Sequence, residues 1–218
     1  MKYKLAVFDL DGTLLDSLED LRDSVNVVLE AHNYPKRSLE EIRHFVGNGS
    51  VKLIERAVPA GTSKEEEKII HDEYKEYYDK HCNEKTKAYE GIIDVLKILK
   101  NNGVKLAILS NKPNFTVEKL NEIYFEGLFE IARGSLPEVA VKPAPDSLLR
   151  ILKELNISRK DTVYIGDSDV DVNTAKNAGV DEIAVTWGFR DENFLKEKGA
   201  TRFAKNSKEL LELISKLS

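Results

Sequence analysis

Cysteine is nearly missing from this sequence: Cys82 stands alone among 218 residues. No disulfide can close within the chain, which fits a reducing, cytoplasmic setting. Nothing around Cys82 reads as an activating strand-turn-helix, so an ordinary thiol is a simpler reading than a nucleophile. Long hydrophobic runs are missing too. None approaches the ~20 residues of a membrane span. The opening MKYKLAVFDLDG enters a strand pattern directly and lacks the layout of a secretory signal. A surplus of positive charge is also absent. Lys and Arg number 33 against 38 Asp and Glu, a net charge of −5, and no basic run offers a face to nucleic acid. The reading therefore has neither a nucleic-acid nor a membrane partner. An acidic chain that binds an anion needs a local device, such as a metal ion or one well-placed lysine.

Enough apolar residue is present for a core: 41% hydrophobic, beside 33% charged. The length suits one large domain or a domain with an inserted module. Four short apolar segments predict buried parallel strands: KLAVFDL (4–10), VKLAILS (104–110), TVYIGD (162–167) and EIAVTW (182–187). A helical pattern precedes the second, at 93–103, and others fall between the last three, at 114–124, 145–155 and 171–179. That alternation implies a doubly wound parallel sheet covered by helices. Residues 17–82 break the rhythm and carry only helical signals. Ser17 with Asp20, Ser38 with Glu41, and Ser63 with Glu66 have capping-box spacing. They predict helices near 18–32, 39–45, 50–58 and 64–81. The expected organisation is an α/β core of 1–15 and 83–218 with a helical insertion of 16–82.

Ligands of open parallel sheets bind beyond the carboxyl ends of the strands, and each apolar strand here ends in polar residues. The first ends in Asp9-Leu10-Asp11-Gly12. Residues i and i+2 of a strand share a side, so the two carboxylates would face one crevice. They repel unless a cation or a shared proton intervenes, and Mg²⁺ is the oxygen-seeking candidate. A capped turn explains a lone Asp-Gly, but not two carboxylates within an apolar run. The second strand ends in Ser110-Asn111-Lys112-Pro113, a hydroxyl and a backbone N–H ahead of a helix. Such a turn is common by itself. Lys142 sits between Val141 and Pro143, which holds it in extended geometry. The last cluster, Gly166-Asp167-Ser168-Asp169-Val170-Asp171, puts Asp167 at a strand end and Asp171 in a first helical turn, where acidic capping is also ordinary. Taken together, the four clusters imply a metal-bound phosphate site with one carboxylate left to attack.

In that order the residues resemble the haloacid dehalogenase superfamily of phosphatases. Asp9-Leu10-Asp11-Gly12-Thr13 is similar to its first motif, Ser110 to its second, Lys142 to its third, and Gly166-Asp167 through Asp171 to its fourth. The resemblance implies a Rossmann-like core with a helical cap after the first strand. It implies Asp9 as nucleophile and Asp11 as proton donor and acceptor. Asp9, Asp11 (through its carbonyl) and Asp167 would bind Mg²⁺, with Asp171 just outside. Ser110, Lys142 and the N–H groups of Asp11, Gly12 and Asn111 would take the phosphoryl oxygens. Val46-Gly47-Asn48-Gly49 followed by Arg56, and Val185-Thr186-Trp187-Gly188-Phe189, are similar to the phosphoglycolate phosphatase group. That implies hydrolysis of 2-phosphoglycolate through an aspartyl-phosphate, with Asn48 and Arg56 selecting substrate. Glu90 and Val141 depart from the group's usual residues. Pyrophosphatase, sugar-phosphate phosphatase or mutase, and phosphonoacetaldehyde hydrolase (with Lys52 for the Schiff base) stay open on this scaffold. A non-catalytic receiver-like module is the remaining alternative. The expected partner is a small phosphorylated metabolite, bound by a monomer or homodimer.

Overall fold

The computed structural model describes residues 1–215. The first half of the chain holds β1 (Leu5–Phe8), β2 (Leu15–Asp16), α1 (Leu18–Ala31), α2 (Leu39–Phe45), α3 (Ser50–Ala57), α4 (Lys64–His81), β3 (Lys87–Ala88) and α5 (Ile92–Asn101). Then come β4 (Lys105–Pro113), α6 (Asn114–Phe125), β5 (Ile131–Ser135), α7 (Asp146–Leu155), β6 (Thr162–Gly166), α8 (Asp169–Ala178), β7 (Asp181–Val185), α9 (Glu192–Glu197), β8 (Phe203–Ala204) and α10 (Ser207–Ser215). No described helix is long and apolar enough to cross a membrane.

The chain divides into two compact units, one of residues 1–15 and 88–218 and the other of residues 16–87. The first is an α/β unit. Its sheet runs β5-β4-β1-β6-β7-β8, and the pairs are parallel. All four residues of β1, LAVF, are buried, as a strand covered on both faces requires. Leu5, Val7, Ala107, Leu109 and Tyr164 pack with Leu148, Ile151 and Leu152 of α7 and Ala175 and Ala178 of α8. The parallel, doubly wound class expected from the sequence is therefore what folds.

Three strand expectations need correction. β1 stops at Phe8, so Asp9 and Asp11 lie beyond the ladder. β5 and β8 were not anticipated, because IARGS is too polar and FA too short to read as a strand. Lys142 lies in a turn ahead of α7 and not at a strand end.

β4 carries the irregularity that matters. It stays in register with β5 as far as Leu109 opposite Arg133, then re-pairs at Pro113 opposite Ser135. Four steps on β4 thus face two on β5, and Ser110-Asn111-Lys112 bulges out. Gly134 permits this. A Cβ there would meet the Lys112 carbonyl at 2.5 Å and the Asn114 Cα at 2.6 Å.

In the helical unit, α1–α4 begin and end within about two residues of the expected positions. Ser38 and Glu41 form the reciprocal capping box, and the Ser63 side chain accepts the Glu66 N–H. Ser17 makes no side-chain cap, which corrects the third expected box. Asp20 instead turns inward. Its carboxylate, only 3% exposed, accepts the N–H groups of Glu84, Lys85 and Thr86 and the Thr86 hydroxyl at 2.7–3.1 Å. Residues 83–87 consequently belong with the helices, five residues beyond the boundary expected from the sequence. Removing a buried acceptor strands four donors, at a cost of about 1–3 kcal/mol or more. Asp20→Ala is expected to lower urea-unfolding stability by at least ~2 kcal/mol. A change under ~0.5 kcal/mol would show that the anchor carries no weight.

Candidate active site

The carboxyl ends of β1, β4 and β6 meet around one ammonium group. Lys142 Nζ lies 2.7 Å from Asp171 Oδ1 and 2.9 Å from Asp9 Oδ1, and its side chain is 2% exposed. It also donates to the Tyr164 hydroxyl at 3.0 Å. The Tyr164 hydroxyl lies 3.1 Å from both the Leu109 carbonyl and Asp171 Oδ1, and its single proton goes to one of the two. Burial pushes Lys142 toward its neutral form, but Asp171 and Asp9 outweigh burial and hold the ammonium well above the ordinary lysine value.

The turn that carries Lys142 is clamped by Asn111. The Asn111 side-chain amide donates to the Lys142 carbonyl at 3.0 Å, and its Oδ1 accepts the Lys142 N–H at 2.8 Å. Asn111 was expected to contribute a backbone N–H; the structure adds this side-chain role. Ser110 is buried and accepts the Lys112 N–H at 3.2 Å, which leaves its own hydroxyl proton to donate.

Asp9 accepts the Leu10 N–H at 2.7 Å through Oδ1, the same oxygen that faces Lys142. Its Oδ2 accepts no hydrogen bond from the described residues. Burial raises Asp9 well above the usual carboxylate range, and Asp171 and Asp167 add to the effect. Asp167 is raised to about 7, first by burial and then by Asp171, against the Phe189 N–H and Thr13 hydroxyl that donate to it at 2.8 and 3.2 Å. Asp171 is spoken for at both oxygens: Oδ1 by Lys142 and Tyr164, Oδ2 by the N–H and hydroxyl of Ser168.

Carboxylate oxygens of Asp9, Asp167 and Asp171 lie within 4.8 Å of one another, all buried. Three carboxylates thus gather where the lysine meets two of them, and every donor atom is a hard oxygen. A divalent oxygen-seeking cation fits such a set. Gly12 and Gly188 wall Asp167 in: a Cβ at Gly12 would stand 2.3 Å from its Oδ2, and one at Gly188 2.4 Å from its Cβ.

Two expectations change. The Gly12 N–H donates to the Leu15 carbonyl at 2.8 Å and closes the 10–15 turn, so it is not a phosphate donor. Asp11, expected only to face the same crevice as Asp9, has an ammonium partner of its own. Both its oxygens accept from Lys112 Nζ at 2.9 Å. Sequence reasoning passed over Lys112, Tyr164 and the Phe189 N–H. The run SNKP was the available signal for Lys112, but only the bulge turns that side chain inward.

In the helical unit, Arg56 donates to the Phe45 carbonyl at 2.6 Å and to Asn48 Oδ1 at 2.8 Å. The two residues singled out there are hydrogen-bonded to each other and pin the turn between α2 and α3. Within the helical unit His32, His44 and His81 face Glu73, Glu40 and Glu84, and His71 faces Ser50.

A family model described as haloacid dehalogenase-like hydrolase matches residues 6–185. The chain belongs to the haloacid dehalogenase-like hydrolases. Among curated members it is 36% identical over 217 residues to phosphoglycolate phosphatase 1 of Pseudomonas aeruginosa, covering 95% of this chain and 78% of the relative. It is also 36% identical to the phosphoglycolate phosphatase of Psychrobacter arcticus, covering 87% and 86%. A crystal structure from Lactobacillus delbrueckii subsp. bulgaricus, provisionally described as a phosphoglycolate phosphatase, superposes with a TM-score of 0.93 at 38% identity, covering 98% and 99%. The family resemblance read from the four motifs is thereby established.

The Asp167 shift predicts a pH effect in this hydrolase. Its folded value of about 7 exceeds the ordinary 3.8. The folded protein therefore keeps a proton that the unfolded chain gives up. The resulting penalty is absent below about pH 4, grows up to pH 7 and is complete above it. Metal-free protein should lose melting temperature between about pH 4 and pH 7. Asp167→Asn should melt several degrees higher than wild type at pH 8 without metal, and should gain less from added Mg²⁺. Equal melting temperatures across that range would contradict the assignment.

Proposed function

We propose that the chain is a Mg²⁺-dependent phosphoric monoester hydrolase whose preferred substrate is 2-phosphoglycolate, working through an aspartyl-phosphate. The observation that carries the chemistry is Asp9: one oxygen is fixed by Leu10 and Lys142, and the other accepts no hydrogen bond from the described residues. The names of the relatives, at 36% identity over most of the chain, support the substrate class.

Asp9 Oδ2 attacks phosphorus as the ester P–O bond breaks. Protonated Asp11 gives its proton to the departing glycolate oxygen. Asp11, now a carboxylate, takes a proton from the water that attacks the same phosphorus. The Asp9–phosphorus bond breaks, and inorganic phosphate leaves. Lys142, the Ser110 hydroxyl and the N–H groups of Asp11 and Asn111 neutralise and hold the phosphoryl oxygens, which is where phosphoryl transfer gains most. Asp9, Asp167 and the Asp11 carbonyl are the residues proposed to hold Mg²⁺, with Asp171 beside them. When bound, the ion offsets phosphoryl charge and the repulsion among these carboxylates. The partner is a small phosphorylated metabolite in the cytoplasm, and the protein is a monomer or homodimer.

The test is phosphate release with Mg²⁺ from 2-phosphoglycolate, pyrophosphate, p-nitrophenyl phosphate and β-glucose 1-phosphate. The highest kcat/KM is expected for 2-phosphoglycolate, with Asp9→Asn at background and EDTA abolishing turnover. A different preferred ester would overturn the substrate, and no release from any of them would overturn the reaction.

Asn48 and Arg56 are proposed to set selectivity, because a guanidinium fork matches a carboxylate. Arg56→Ala should raise KM for 2-phosphoglycolate roughly tenfold or more while p-nitrophenyl phosphate changes less than about twofold. Equal losses on both substrates would assign Arg56 to holding the α2–α3 turn alone.

A further inference from the structure

We infer that Lys112 is a positioning residue for Asp11. The ammonium fixes the direction of the carboxylate that handles the proton, and so sets the rate of turnover without binding the phosphoryl group. This rests on the reaction proposed above and adds a residue to it.

The geometry is specific. Lys112 Nζ is 2.9 Å from both Asp11 oxygens. Its side chain is 3% exposed, against 19% for that of Asp11. Surface lysines make mobile, weak pairs. A lysine removed from water is different, because an ammonium is costly to desolvate and holds its place only with a close partner. The backbone beneath it is fixed as well. Ser135 Oγ donates to the Lys112 carbonyl at 3.3 Å. The Gly134 backbone approaches that carbonyl so closely that a Cβ would stand 2.5 Å away. The β4 bulge therefore delivers the ammonium to one spot. Asp11 leaves β1 on the tight turn closed by the Gly12 and Leu15 N–H groups, beyond the last ladder pair of the strand. Lys112 restrains its carboxylate there.

The pair also has a direction. An ammonium only donates, so a carboxylate accepting at both oxygens is in its proton-accepting form. That is the form that receives the proton of the attacking water. To act as an acid, Asp11 must release one of the two bonds. Lys112 thus favours the base half of the cycle, in which the aspartyl-phosphate is hydrolysed.

The test compares wild type, Lys112→Met and Lys112→Gln at saturating Mg²⁺ on p-nitrophenyl phosphate, each also in an Asp11→Asn background. A reacting group that drifts by an ångström costs on the order of a hundredfold. Lys112→Met is expected to lower kcat about 10- to 100-fold with KM within threefold, and to accumulate phosphoenzyme that an acid quench traps. Lys112→Gln, which keeps N–H donors, should recover part of the loss. In the Asp11→Asn background Lys112→Met should change kcat less than about twofold, because its action passes through Asp11. An unchanged kcat overturns the inference. Equal losses in both backgrounds assign Lys112 to structure, and a rise in KM alone assigns it to substrate binding; either result overturns it too. If Lys112→Met does not fold, Lys112→Gln decides by the same criteria. A wild type that releases no phosphate sinks the reaction instead. The orientation claim then stands or falls on crystal structures, in which the Asp11 carboxylate should hold one rotamer in wild type and leave it in Lys112→Gln.

Discussion

A lysine ammonium almost wholly out of water, with carboxylates on two sides, is the constraint around which the α/β unit is arranged. Lys142 needs Asp9 and Asp171, because an isolated buried charge costs far more than a folded domain has to spare. The carboxylates need Lys142 equally, since burial pushes Asp9 toward its protonated form. Each therefore fixes the other, and the elements carrying them are fixed with them. Tyr164 joins the ammonium to the Leu109 carbonyl of β4. Ser168 ties Asp171 to the start of α8. Lys142 thus links Tyr164 and Asp171 in one hydrogen-bonded network, and in a medium of low polarisability such networks are rigid.

Rigidity of this kind suits phosphoryl transfer, where placing charge matters more than covalent help from many groups. The β4 bulge extends it. Three consecutive residues leave the ladder, and each acts on a different neighbour. Ser110 keeps a hydroxyl proton to donate, Asn111 grips the Lys142 turn, and Lys112 meets Asp11. A regular strand would have sent alternate side chains to opposite faces. The irregularity is what lets one strand end contribute all three.

Much of this was legible in the residues. Asp9, Ser110, Lys142 and Asp167 stand where apolar runs give out, and polar residues placed there are exceptions to the surrounding pattern. The sheet was legible because β1 and β6 are buried on both faces and so lack the polar alternation of a half-exposed strand. The parts that were not legible depend on contacts between distant segments. Lys112 reads like any lysine until the register slip against β5 is known, and that slip depends on Gly134, more than twenty residues away. Gly12 offered a donor in sequence, but its N–H is consumed by Leu15. Asp20 has the spacing of a helix cap, yet three successive N–H groups at 84–86 outcompete Ser17 for it.

That last contact bears on how such a chain can diversify. Asp20 ties the third residue of α1 to the stretch that leads out of the helical unit, so the point of entry and the point of exit are cinched together from within. A segment closed at its own neck costs the surrounding fold little extra entropy when it lengthens or shortens, because loop closure depends only weakly on the number of residues enclosed. Helices inside the neck are thereby free to be exchanged wholesale over evolutionary time, while the strands outside it keep the same spacing, register and chemistry.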